Sequence, residues 1–81
     1  MLNLYVKPGC PWCIDAVDWL RERGYAFREI DVFADRAAYR EMIRLSGQSL
    51  APTLEVDGEV LPDFDVRQLE LFLKRHNIHP E

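Results

Sequence analysis

Two cysteines, Cys10 and Cys13, are the only thiols in the chain and stand three positions apart in Cys10-Pro11-Trp12-Cys13. Residues at that spacing on a helix carry their Cβ atoms about 5–6 Å apart, a small adjustment from the ~3.8 Å of a disulfide. The chemistry this permits is thiol–disulfide exchange. One sulfur attacks, is held as a mixed disulfide, and the second resolves it. A bridge across so short a loop constrains the unfolded chain little, so a purely structural purpose is poorly served. Two other readings exist. Half of a zinc site would need a second ligand pair, and only His76 and His79, at the far end of the chain, could supply it. Alternatively the cysteines fall in a helix by chance.

The elements around the pair decide between these readings. Asn3–Lys7, with Leu4 and Val6 beside Tyr5, reads as a short buried strand, broken by Lys7-Pro8-Gly9. Pro11 suits the first helical position, where its missing N–H costs nothing. Cys13, Ala16, Val17, Trp19 and Leu20 then recur at helical spacing, and Gly24 fits the residue past the helix end. Cys10 thus falls at a helix start, where unpartnered amides and the helix dipole favour a thiolate. Only the thiolate attacks a disulfide.

Phe27–Val32 reads as a second strand, and Asp35 caps a helix through about Leu45 with Ala38, Tyr39, Met42, Ile43 and Leu45 inward. Gly47 ends it. Thr53–Val56 alternates Leu54 and Val56 inward with Thr53 and Glu55 outward. Asp57-Gly58 is a hairpin turn, and Glu59–Leu61 returns. Asp65 caps a last helix carrying Leu69, Phe72 and Leu73, and Asn77 stops it. Phe27, Phe33, Tyr39 and Phe72 are expected in the core, Trp19 there or partly buried, and Trp12 exposed as a contact surface. The order β-α-β-α-β-β-α implies a right-handed βαβ unit plus a hairpin in one four-stranded mixed sheet with helices on both faces.

Three more positions could serve the thiols. Lys7, three residues before Cys10, is either a cation for the thiolate or a substrate carboxylate, or a solvated lysine. Asp15 is expected to face water. Pro52, in Ala51-Pro52-Thr53, either opens a strand or follows a cis bond; the cis form would leave the Ala51 main chain free to pair with an extended peptide.

The 81 residues make one domain, 1–81, with a formal net charge of −4. With a pI near 5.1, nucleic acid is not an expected partner. Hydrophobic residues at 48% exclude a disordered chain. No apolar run is long enough to span a membrane, and the start Met1–Val6 lacks a signal-peptide pattern, so a cytoplasmic monomer is expected.

Tyr5-x-Lys7, Cys10-Pro11-Trp12-Cys13, Ser46-Gly47, Ala51-Pro52, Asp57-Gly58 and Asp65 together resemble the glutaredoxin family of the thioredoxin-fold superfamily, over nearly the whole chain. The resemblance implies an α/β thioredoxin-like fold and a dithiol oxidoreductase that acts on protein disulfides or glutathione mixed disulfides. It implies Cys10 as nucleophile, Cys13 as resolving thiol and Pro52 as a cis-proline. Ala51 would pair its main chain with glutathione, Lys7 and Gln48 would meet the glycine carboxylate, and Asp65 the γ-glutamyl amine, with Trp12 at the substrate surface. Glutathione would be a co-substrate, with no tightly bound cofactor and no metal. Leu61-Pro62 stands where the family usually has Gly-Gly, Gln48 where it often has Arg, Trp12 for Tyr and Ala51 for Val. These departures motivate an alternative in which thioredoxin reductase, rather than glutathione, re-reduces the protein. An iron–sulfur carrier or adaptor role is the non-enzyme alternative.

Overall fold

The computed structural model describes all residues, Met1–Glu81. Its elements run β1 (Leu2–Val6), α1 (Pro11–Glu22), β2 (Phe27–Asp31), α2 (Arg36–Ser46), β3 (Thr53–Val56), β4 (Glu59–Pro62) and α3 (Val66–Arg75). The element order read from the sequence is the observed one, with boundaries moved by a residue or two. β1 begins and ends one residue earlier than expected, β2 stops at Asp31, and β4 extends to Pro62, which an edge strand tolerates.

The sheet order is β2-β1-β3-β4. β1 pairs in parallel with β2, Tyr5 opposite Ile30, and antiparallel with β3, Leu4 opposite Leu54. β3 pairs antiparallel with β4. The hairpin turn carries positive φ at both Asp57 (50°) and Gly58 (85°), the handedness that matches strand twist. Helices α1 and α3 contact each other, and α2 packs against β1, β3 and β4.

Each helix starts and stops for a local reason. Asp35 accepts from the Ala38 N–H, and Gly47 closes α2 at φ 72°. Asp65 and Gln68 form a reciprocal capping box on α3, and Asn77 follows its end at φ 55°. The core joins Leu2, Leu4 and Val6 of β1 to Ala16, Val17 and Leu20 of α1, Leu54 and Val56 of β3, and Leu69, Phe72 and Leu73 of α3. The C-terminal tail folds back on the turn after α1, where the Glu81 N–H donates to Gly24 O at 3.2 Å.

Burial departs from expectation at several positions. Thr53, expected outward, is 0% exposed, because α2 packs on β3. Phe33, expected in the core, is 64% exposed. It falls in the β2–α2 connection, where the Asp31 carboxylate accepts from the Phe33 and Ala34 N–H groups. Ile43 lies at the solvent edge of α2, and Met42 alone is buried from that helix. Tyr39 and Phe27 are half-buried, and Phe64, not anticipated, is fully enclosed.

Candidate active site

Cys10 is the N-cap residue of α1, in extended conformation at φ −86°, with Pro11 beginning the helix behind it. The Cys13 N–H donates to Cys10 Sγ at 3.3 Å. This is one of the amides a helix start leaves without a backbone partner, and it faces the sulfur. Both thiols are free; Cys10 is half-buried and Cys13 buried.

The two sulfurs are therefore unlike. Burial first, and then the Cys10 sulfur beside it, push the Cys13 thiol up to about 12, against a weaker backbone contact from Lys7. Cys13 is held as a neutral thiol behind Cys10 at neutral pH. Asp15 and Asp18 on α1 are exposed.

Facing the pair is the segment between α2 and β3. The Ala51–Pro52 peptide bond is cis. Ala51 O lies 3.8 Å from Cys10 Sγ, and Ala51 and Pro52 are both buried. Trp12 stands out at 59% exposure, and Leu50 at 53%.

Lys7 is neither freely solvated nor on the Cys10 sulfur. Its Nζ donates to Ser49 O at 2.6 Å and lies 5.8 Å from the Phe33 ring and 5.7 Å from that of Tyr39. The Gln48 amide, expected toward a substrate carboxylate, bonds within its own loop to Ser46, Leu50 and Thr53. Asp65 Oδ1 accepts from the Gln68 N–H at 2.9 Å, and Asp65 also borders a groove of about 260 Å³ formed with Trp12, Asp63, Phe64 and Gln68. A larger cleft of about 310 Å³ reaches Cys13 from another side, lined by Lys7, Asp18, Arg21 and Glu29 among others, and does not include Cys10.

Asp63, at φ 48°, is the left-handed residue of the β4–α3 connection. The position a glycine would serve is thus Asp63, one beyond the Leu61-Pro62 pair expected there. The structure brings Cys10, Cys13, Ala51 and Pro52 together, puts Trp12 and Asp65 on one groove, and turns Lys7 and Gln48 onto the loop. Sequence reasoning missed Ser49 and Thr53 as members of that loop's bonding. The available signal was a cluster of hydroxyl and amide side chains directly after a helix stop.

A dithiol at the turn from β1 into α1, facing a cis-proline at the entry to the neighbouring strand β3, defines a thiol-redox domain of thioredoxin-like architecture. The family model described as glutaredoxin matches residues 2–61, and the chain belongs to the glutaredoxin family. Among curated relatives, an uncharacterized glutaredoxin-like 8.6 kDa protein in the rubredoxin operon of Clostridium pasteurianum is 28% identical over 75 residues, 93% of this chain and 100% of that one. Glutaredoxin 3 of Escherichia coli K12 is 31% identical over 58 residues, 72% of this chain and 70% of that one. Among solved structures, the thioredoxin-like protein BC3987 superposes with a TM-score of 0.81 at 30% identity, over 90% of this chain and 100% of that one. The buckwheat glutaredoxin–glutathione complex shares the fold, with a TM-score of 0.69 at 15% identity over 95% of this chain and 70% of that one.

Proposed function

We propose that this protein is a dithiol oxidoreductase that reduces protein disulfides or glutathione mixed disulfides, with Cys10 as nucleophile and Cys13 as resolving thiol. The observation that carries the reading is the asymmetry of the pair. Cys10 is the accessible sulfur and accepts the Cys13 N–H, while Cys13 is enclosed and protonated.

The order of events follows from it. The Cys10 thiolate attacks one substrate sulfur, the substrate S–S bond breaks, and the other sulfur leaves and takes up a proton. Cys10 is then held as a mixed disulfide. The loss of its charge removes part of what keeps the proton on Cys13. Cys13 releases that proton, attacks Cys10 Sγ and expels the second substrate thiol. Two electrons have passed to the substrate, and the protein is left with a Cys10–Cys13 disulfide. Two glutathione molecules return it to the dithiol.

In this reading the substrate lies along the Ala51 main chain beside Pro52, with Trp12 covering it and Lys7 and Asp65 at its two ends. A reducing, cytoplasmic compartment suits the free thiols of this cycle. No helix is long and apolar enough to cross a membrane.

One observation favours a second reading, in which a thioredoxin reductase returns the electrons. Asp63 and Asp65 both line the groove beside Trp12, and Pro62 has no N–H to offer. A γ-glutamyl carboxylate placed there would meet like charge. Coupled NADPH assays with glutathione and glutathione reductase, and with thioredoxin reductase, separate the two. Cys10→Ser abolishes turnover in whichever system works; full activity of that variant would overturn the assignment of the nucleophile.

A further inference from the structure

Between the end of α2 and the start of β3, residues 47–52 belong to no helix or strand. Four successive carbonyls in this stretch face side chains instead. Ser46 Oγ lies 3.0 Å from Gln48 O, and Lys7 Nζ donates to Ser49 O at 2.6 Å. Leu50 O is approached by Gln48 Nε2 at 3.3 Å and by Thr53 Oγ1 at 3.0 Å. Ala51 O faces Cys10 Sγ at 3.8 Å.

Gln48 is the centre of this arrangement. Its Nε2 sits 3.1 Å from Ser46 Oγ and 3.3 Å from Thr53 Oγ1 as well as facing Leu50 O. Its Oε1 accepts from the Leu50 N–H. The polarity of the surroundings is fixed. The single Thr53 hydroxyl hydrogen is directed at Leu50 O, and that of Ser46 at Met42 O or Gln48 O, so both oxygens offer lone pairs to Gln48. The site requires donors on one side and an acceptor on the other, which an amide supplies. Glutamate would lack the donors, and arginine the acceptor.

We infer that Gln48 is a positioning residue: its amide sets the main chain of Leu50 and Ala51 against Cys10, and so governs docking of any disulfide partner, with or without glutathione. The inference rests on the oxidoreductase reading, in which Ala51 is the docking edge. It differs from a carboxylate-binding role in being indifferent to the substrate's terminal charge.

The test is single-turnover reduction by the reduced full-length protein of two substrates, a glutathione–cysteinyl-peptide mixed disulfide and a glutathione-free peptide disulfide. Thiol release is followed at rising substrate concentration. Gln48→Met raises the half-saturating concentration about tenfold for both, with the saturated rate changed less than about threefold. Thr53→Val, which removes the same pin from its other end, gives the same pattern. The double variant loses less than the two losses combined, because both act through one loop. Gln48→Arg does not rescue either substrate.

A loss confined to the glutathione substrate and restored by Gln48→Arg would overturn the inference in favour of direct carboxylate contact. Fully additive losses, or no loss in either single variant, would also overturn it. These outcomes presuppose an active wild type. A wild type that reduces neither disulfide overturns the oxidoreductase reading itself.

Discussion

The amide of Cys13 points at the sulfur of Cys10, 3.3 Å away, while the Cys13 side chain turns into the core and is only 3% exposed. One residue thus supplies a donor to the Cys10 sulfur and hides its own thiol. Alkylation should read this directly. At about pH 8, iodoacetamide is expected to modify Cys10 alone, giving a single adduct by mass spectrometry. Cys13, with its thiol pushed up to about 12, becomes reactive only on unfolding or in strong alkali. Equal labelling of both cysteines in the folded protein would contradict the asymmetry.

The same thiol makes stability depend on alkalinity. Burial raises Cys13 from 9.0 to about 12, so the fold favours its neutral form. That contribution is fully present below about pH 9 and is lost as pH climbs toward 12. Tyr5 acts in the same direction, raised from 10.0 by burial and then by Glu41 and Glu55. The urea midpoint under reducing conditions is expected to fall between about pH 9 and 12. Cys13→Ala should be less stable at about pH 8, for the cavity it leaves, yet fall less steeply with pH. A steeper fall in the variant would reverse the sign and refute the account.

The sequence carried the parts whose signals are local. Cys10 before Pro11, the Asp57-Gly58 turn and the Asp35 and Asp65 caps each declare themselves within a few residues, and each is where it was expected. Burial was legible only where it follows from one face. Alternation sets Thr53 outward, but α2 packs on β3 and Thr53 is enclosed, while Glu55 further along the same face stays half-exposed. Phe33 is apolar enough for the core, yet its connection is turned by Asp31, and its ring ends near Lys7. Gln48 illustrates a further limit. Residue type announces an amide, whereas its use depends on the donors and acceptors that Leu50 and Thr53 present after folding.

Asp65 caps a helix and, in the proposed function, also meets the substrate; substitution can separate the two. Its carboxylate caps α3 through the Gln68 N–H, and Gln68 returns a bond to the Asp65 N–H at 3.0 Å. Asp65→Ala should cost about 1 kcal/mol, or roughly 4–8 °C in Tm for a domain of this size. Asp65→Ser keeps a capping oxygen and should hold Tm within about 2 °C of wild type. Both remove the charge beside Trp12. If the carboxylate meets a γ-glutamyl amine, both variants raise the KM for a glutathione mixed disulfide alike; a rise in the alanine variant alone would assign Asp65 to the cap only.

Asp63, in the same connection and groove as Asp65, tests the identity of the electron donor. At φ 48° a non-glycine residue bears a backbone cost of about 1 kcal/mol, softened because aspartate tolerates this region. Asp63→Gly relieves that cost and adds roughly 0.5–1 kcal/mol of unfolded-chain entropy, so the two changes nearly cancel and Tm should stay within about 4 °C. The consequence for function does not cancel. The substitution removes one of two carboxylates beside Trp12 and opens the backbone to close approach. Under the second reading, turnover with glutathione as donor should rise severalfold in Asp63→Gly, while turnover with thioredoxin reductase is unchanged. Wild-type protein that already turns over rapidly with glutathione, and a variant that gains nothing, would show that Asp63 is no barrier and remove the ground for that reading.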